Sequence, residues 1–197
     1  MLKRAFDFVV SLLGLIVLSP IILCTALAMV LKDGSPVFFR QKRVGKNGKL
    51  FYLYKFRTMV KSTDADRRLA TQSDTRITPL GKKLRYYKLD ELPQLLNVLK
   101  GEMSFVGYRP EVPYFVEKYN ESQKQILAYK PGIVDPATLK FSRFENEILA
   151  KSKDTEKDYI EKILPVKIEM SLDYARKANF FKDIQCLCKC CLFHLLK

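Results

Sequence analysis

The chain has 197 residues, with 35 Lys and Arg against 21 Asp and Glu, a net charge of +14, one His and no Trp. The length suits one domain, and the basic balance fits nucleic acid, anionic lipid headgroups or nucleotide diphosphates as partners. Of five cysteines, four crowd between Cys186 and Cys191 and the fifth is Cys24 in an apolar run, which excludes a disulfide framework and points to a reducing compartment.

From Phe8 to Leu31 no residue is charged. As a helix these residues would extend roughly 36 Å, enough to cross a hydrocarbon core of about 30 Å. Ser19-Pro20 interrupts the run near its middle, because proline removes one backbone hydrogen bond and breaks another, while the serine hydroxyl can satisfy a freed carbonyl. Both flanks are basic: Lys3 and Arg4 before the run, and Lys32, Arg40, Lys42, Arg43 and Lys46 after it. No crossing direction follows from such symmetry. A kinked span and a re-entrant hairpin both remain open, and the hairpin accounts better for the flanks, with Arg4 snorkelling to the headgroups and Asp7 as its partner. The run is too long for the apolar core of a cleaved signal peptide. Joined to such a segment, the basic body is expected to meet lipid and nucleotide, not nucleic acid.

Two strands are expected over Ser35–Val44 and Lys49–Thr58, joined at Gly45–Gly48, where Asn47-Gly48 is a hairpin turn signal. Strand alternation sets Phe51, Leu53, Lys55 and Arg57 on one face, so Lys55 and Arg57 should project together, either toward a phosphate or as a solvated edge. Lys61 to Ile77 is polar and reads as a surface loop with a short helix around Asp64 to Ala70. Thr78-Pro79 offers an N-cap and a first-turn proline for a helix carrying Leu80, Leu84 and Tyr87.

The most informative stretch follows, from Arg85 to Pro110. Pro93 is tolerated only near a helix start, so a helix should begin within a turn of Asp90 and run to about Lys100, with Gly101 as a left-handed stop. Asp90 then lies at its positive end, with Glu91 beside it and Arg85, Lys88 and Arg109 able to neutralise a diphosphate. Adjacent helical side chains diverge by about 100°, so only one of the two acids is expected to face a substrate squarely. An acid pair opening a helix is also ordinary capping chemistry, and only the wider string separates the two readings.

Beyond Arg109-Pro110-Glu111, Val112 to Tyr129 has helical periodicity through Phe115, Tyr119 and Ile126, and Lys130 to Pro136 breaks it. Helices are expected over Glu145–Lys151, Glu156–Ile163 and Val166–Ala178, the second opened by Thr155 with Asp158 in a capping-box pattern. Phe180 to Leu196 mixes apolar residues with Lys182, Lys189 and Lys197, as in a helix lying in a membrane interface. The Cys186–Cys191 cluster with His194 lacks the paired spacing of a zinc site and is expected to be small apolar surface on that helix. The fold class expected is α+β: a helix-rich single domain with an N-terminal re-entrant membrane helix over residues 1–34. A body over 35–197 would carry a short β-hairpin and interfacial amphipathic helices.

The string Leu89-Asp-Glu-Leu-Pro-Gln-Leu-Leu-Asn-Val-Leu-Lys-Gly-Glu-Met-Ser-Phe-Val-Gly107, followed by Arg109-Pro110, resembles the signature of the bacterial sugar transferases called monotopic phosphoglycosyl transferases. With the N-terminal segment, the resemblance extends through Gly132. It implies monotopic attachment to the bacterial inner membrane, facing the cytoplasm, and transfer of a phosphosugar from a UDP-sugar to a polyprenyl phosphate such as undecaprenyl phosphate, with release of UMP at the start of glycan assembly. By the same resemblance Asp90 is the covalent nucleophile and a ligand of Mg²⁺, and Glu91 handles or orients the acceptor phosphate. Lys55, Arg85 and Arg109 would clamp phosphates, with Arg43 a further candidate. Tyr108 stands where proline is usual in the family, and Val134-Asp135-Pro136 replaces a common Thr-Gly continuation, which bears on sugar and nucleotide recognition. The rival from another class is a membrane-anchored basic binding or scaffold module, which would require nothing of Asp90.

Overall fold

The computed structural model describes residues 2–60 and 74–195. Most of the expected polar loop over Lys61–Ile77, including its short helix around Asp64 to Ala70, lies outside the described residues. The chain opens with two helices, α1 (Leu2–Val17) and α2 (Ser19–Asp33), bent by 57° at Leu18. Proline lacks the N–H that would reach the carbonyl four residues back, and Ser19 Oγ donates to that carbonyl, Ile16 O, at 2.7 Å. No single described helix is long and apolar enough to cross a membrane, although the bent pair passes by length and composition together.

Burial in this pair is inverted. Asp7, Ser11 and Thr25 face the protein, while Leu13, Ile16, Val17, Leu23, Leu27 and Leu31 are exposed, Leu31 at 76%. Arg4 does not snorkel away from the body as expected: it donates to Val98 O and Leu99 O at 2.7 and 2.8 Å. Asp7 is not its partner but accepts from Phe105 N at 3.2 Å, and Lys3 pairs with Asp183 at 2.6 Å. Carbonyls at the end of a short helix and a buried backbone N–H need partners, and these side chains supply them.

Strands β1 (Phe38–Val44) and β2 (Leu50–Phe56) form the expected antiparallel hairpin, pairing Phe38 with Phe56 and Val44 with Leu50. Asn47 at φ 56° and Gly48 at φ 75° make the left-handed turn between them. Arg57 departs from the expected pairing with Lys55, since β2 ends at Phe56 and the guanidinium donates to Asp33 O and Gly34 O at 2.7 and 2.6 Å, closing the end of α2. Helix α3 (Pro79–Tyr86) has the expected cap, with Thr78 Oγ1 accepting from Gly81 N, and Thr78 also donates to Asp33. A 3₁₀ turn (Leu89–Gln94) then runs into α4 (Leu95–Lys100), stopped by Gly101 at φ 84°.

A second, unexpected sheet is a parallel pair, β3 (Ser104–Val106) with β4 (Gly132–Val134). Its strands can close because Gly107 and Gly132 have no side chains: a Cβ on Gly132 would lie 2.1 Å from Gly107 N. Between them, the long helix expected over Val112–Tyr129 is instead α5 (Pro113–Val116), α6 (Glu121–Lys124) and a 3₁₀ turn (Gln125–Ala128), because Asn120 caps α6 and restarts the chain.

Helix α7 (Pro136–Lys151) begins nine residues before the expected Glu145, since Asp135 accepts from Ala137 N and Pro136 opens the first turn. Helix α8 (Thr155–Asp158) is capped by Asp154, not by Thr155. A π-helical turn (Tyr159–Ile163) leads into α9 (Leu164–Lys177), and α10 (Phe180–Leu195) follows. The main core gathers Phe115, Ile126, Tyr159, Ile163 and Ile168, while Phe51, Leu53, Val98 and Met103 pack the hairpin onto α4. Among the described residues the chain is helix-rich with two small sheets, an α+β fold.

Candidate active site

Lys88 adopts a left-handed conformation, φ 58°, which turns the chain from α3 into the 3₁₀ turn and brings Asp90 inward. Asp90 is 6% exposed, and among the described residues its Oδ1 is buried with no hydrogen-bond partner. Burial pushes its carboxyl up from the ordinary value, and the Glu91 charge adds to the rise while Lys55, Lys88 and Arg85 oppose it. The neighbouring acid has the opposite character. Glu91 Oε1 accepts from Lys55 Nζ at 2.7 Å and from Arg109 Nη2 at 3.1 Å. Burial alone would raise Glu91, but these two cations outweigh it and hold the carboxyl well below the usual range.

The divergence of adjacent side chains thus produces one carboxylate saturated by cations and one with a free, poorly solvated oxygen. A free carboxylate oxygen among cations is a nucleophile that a phosphorus centre can approach, since the same cations that surround it can neutralise a diphosphate. A hard divalent cation such as Mg²⁺ is commonly held by one or two carboxylates with substrate phosphates and water. Among the described residues no three His, Cys, Asp or Glu side chains form a metal cage, yet the unpartnered Asp90 oxygen fits the one-carboxylate mode.

Arg85 comes from α3, donating Nε to Thr58 Oγ1 at 2.8 Å, with burial lowering its affinity for a proton and Asp90 opposing that. Lys55 comes from β2, where burial likewise lowers it and Glu91 opposes the fall. Arg109 comes from the turn after β3, and Glu91 holds it firmly protonated. The structure therefore gathers Lys55, Arg85 and Arg109 around the acid pair. Arg43 is directed elsewhere: its guanidinium donates to Pro110 O at 2.8 Å and Gln41 Oε1 at 2.6 Å and lies 3.5 Å from Glu111. Thr58 and Glu111 were not among the expected site residues. Glu111 directly follows Arg109-Pro110, the one local signal that could have found it.

The two departures from the family string also have places. Tyr108 is buried with its hydroxyl unpartnered among the described residues, and Asp135 caps α7 while accepting from Thr138 Oγ1 at 2.8 Å.

A family model described as bacterial sugar transferase matches residues 1–197. The sugar transferase EpsL of Bacillus subtilis (strain 168) is 40% identical over 187 residues, covering 95% of this chain and 84% of that protein. The UDP-glucose:undecaprenyl-phosphate glucose-1-phosphate transferase of Escherichia coli (strain K12) is 39% identical over 189 residues, 94% of this chain and 38% of that protein. The undecaprenyl-phosphate galactose phosphotransferase of Salmonella typhimurium is 40% identical over 148 residues, 67% of this chain and 31% of that protein. The chain thus spans well under half the length of these last two relatives. With the family model matching the whole chain and an acid pair set among three cations, the chain belongs to the bacterial sugar transferase family.

Proposed function

We propose that the chain is a phosphoglycosyl transferase that moves a phosphosugar from a UDP-sugar to a polyprenyl phosphate, such as undecaprenyl phosphate, at the start of glycan assembly. The observation that carries this reading is the buried Asp90 Oδ1, without a partner among the described residues, beside a carboxylate already saturated by Lys55 and Arg109. In the first step an Asp90 oxygen attacks the β-phosphorus, the bond to the bridging oxygen breaks, and UMP leaves with that oxygen. An oxygen of the polyprenyl phosphate then attacks the same phosphorus and frees Asp90, giving a lipid diphosphate sugar. Arg85, Arg109 and Lys55 hold phosphate oxygens and offset charge as it shifts to UMP. Glu91, held ionised, serves to fix Lys55 and Arg109 and is poorly suited to trade protons. Mg²⁺ held through Asp90 and the diphosphate would supply further charge neutralisation.

The inverted burial of α1 and α2 supports a membrane-inserted hairpin, since apolar side chains facing water in such number are costly. Both ends of the pair return to one body, Arg4 on α4 and Asp33 on Thr78, which favours re-entry over crossing. Exposed Phe181 and Leu192 on α10 suit an interfacial helix. Such attachment would bring a polyprenyl phosphate headgroup to the site from the cytoplasmic leaflet of a bacterial inner membrane.

The test is UMP release and labelled-lipid formation from a panel of UDP-sugars with undecaprenyl phosphate. Transfer from one donor, lost in Asp90→Asn, is the expected result. A folded protein that binds membranes but transfers from no donor would favour a non-catalytic basic module.

A further inference from the structure

The turn that presents Arg109 is gripped from two sides. On one, Arg43 donates to Pro110 O at 2.8 Å and lies 3.5 Å from Glu111 Oε2, while Val44 N donates to Glu111 O at 2.9 Å. On the other, Glu111 Oε1 accepts from the hydroxyl of Tyr159. Tyr159 is 3% exposed and opens the π-helical turn between α8 and α9. Its ring packs on Phe115 with centroids 4.9 Å apart, and Lys167 Nζ lies 5.8 Å from its centroid.

Two features argue against simple core packing. Replacing a buried ion pair by well-packed apolar residues of the same volume is often neutral or stabilising, so the Arg43–Glu111–Tyr159 group is better explained by what it orients. A π-helical turn is an uncommon departure from α-geometry that recurs at functional sites, and widening one turn re-aims the side chains before it relative to those after. Here the re-aimed residue is Tyr159, and its hydroxyl meets the residue two places after Arg109.

We infer that Tyr159 and Glu111 are positioning residues that, with Arg43, hold the backbone of Arg109 so that its guanidinium reaches Glu91 and a donor diphosphate. The inference rests on the proposed function for what Arg109 grips. The helical layer α7–α9 thereby tunes a site to which it contributes no side chain that touches the acid pair. Tyr159 should influence phosphate handling only through Arg109.

A double-mutant cycle separates this from a structural role. kcat/KM for UMP release and Kd for UDP are measured for wild type, Tyr159→Phe, Arg109→Ala and the double variant in membrane-mimetic discs. Tyr159→Phe is expected to lower kcat/KM about tenfold and to weaken UDP by several-fold. In the Arg109→Ala background the same change should cost less than about twofold in either quantity. Equal losses in both backgrounds would overturn the inference, as would an Arg109→Ala variant that binds UDP like wild type. If Tyr159→Phe fails to fold, Glu111→Asp, which keeps the charge and shortens its reach, enters the same cycle with the same expectation. A wild type that binds UDP but releases no UMP would sink the transferase reading, while the binding cycle would still decide the role of Tyr159.

Discussion

Asp90 and Glu91 are chemical near-twins, yet neutralising them should move stability in opposite directions. Glu91→Gln removes the charge that Lys55 and Arg109 share at hydrogen-bond distance, leaving two cations side by side. Breaking a buried pair by removing one partner costs about 3–5 kcal/mol. The side chains are 14%, 18% and 34% exposed for Glu91, Lys55 and Arg109, so solvent screens part of the loss and the low end, about 3 kcal/mol, applies. For a chain of this size that is a fall in Tm of roughly 6–12 °C. Asp90→Asn should do the reverse. Its folded carboxyl is raised by burial, so ionisation at neutral pH opposes folding, and a neutral amide of the same shape should raise stability by about 1 kcal/mol. The pH dependence distinguishes the two. Glu91, held low, contributes fully above the ordinary carboxylate range, and the gap between wild type and Glu91→Gln should persist at neutral pH and narrow only as acid protonates the wild-type residue. Asp90, held high, imposes its penalty as pH rises through its folded value, so the advantage of Asp90→Asn should shrink in acid. Thermal and denaturant unfolding in one detergent at several pH values measures both. A Glu91→Gln Tm within about 2 °C of wild type, or an Asp90→Asn variant less stable than wild type at neutral pH, would refute the division of roles.

Arg109→Lys should keep much of the charge beside Glu91 but lose bidentate phosphate geometry, lowering kcat/KM by at least about thirtyfold; a kinetically normal variant with a reduced Tm would make Arg109 structural. The acid limb of the rate profile should lie above the ordinary carboxylate value, because an attacking Asp90 must be ionised and its burial opposes that; activity undiminished down to pH 4 would exclude it as nucleophile. Excess EDTA should abolish turnover and added Mg²⁺ restore it, whereas full activity in chelator would remove the metal from the reaction. Cysteine labels placed near Arg4 and Gly34 should react from the same face of a vesicle; labelling of the N-terminus from the opposite face would exclude re-entry.

The legible parts of this fold are those with local physical signals. Asn47-Gly48 announces the hairpin, Thr78-Pro79 the start of α3, and Gly101 the end of α4, because each is a backbone requirement met by a particular residue type. Asp135-Pro136 carries the same kind of start signal, but Lys130-Pro131-Gly132 just before it reads as a breaker and hides it. The β3–β4 pair was illegible, since three-residue strands separated by 25 residues have no periodicity and their closeness depends on two glycines meeting. At the site, the charges near Asp90 in sequence were readable, while the sharing of Glu91 between β2 and the turn after β3 depends on tertiary packing. Arg43 was a phosphate candidate by charge alone; burial lowers its hold on a proton, and protein oxygens occupy it instead. Tyr159 left no trace, because no local pattern connects it to Glu111 across 48 residues.

The seam between α1 and α4 has a mechanical meaning. Arg4 is fastened to the last carbonyls of α4, and ten residues later Gly14 lies against Leu95 at its start, close enough that an added Cβ would come within 3.4 Å of that side chain. About 15 Å of α1 is therefore bound to the helix that continues directly from the acid pair. If α1 sinks or tilts in a bilayer, as the proposed attachment requires, α4 must follow, and the depth of Asp90 relative to the lipid phosphates would be set by α1 as by a gauge. Bilayer thickness would then act as a control on turnover without touching any substrate contact.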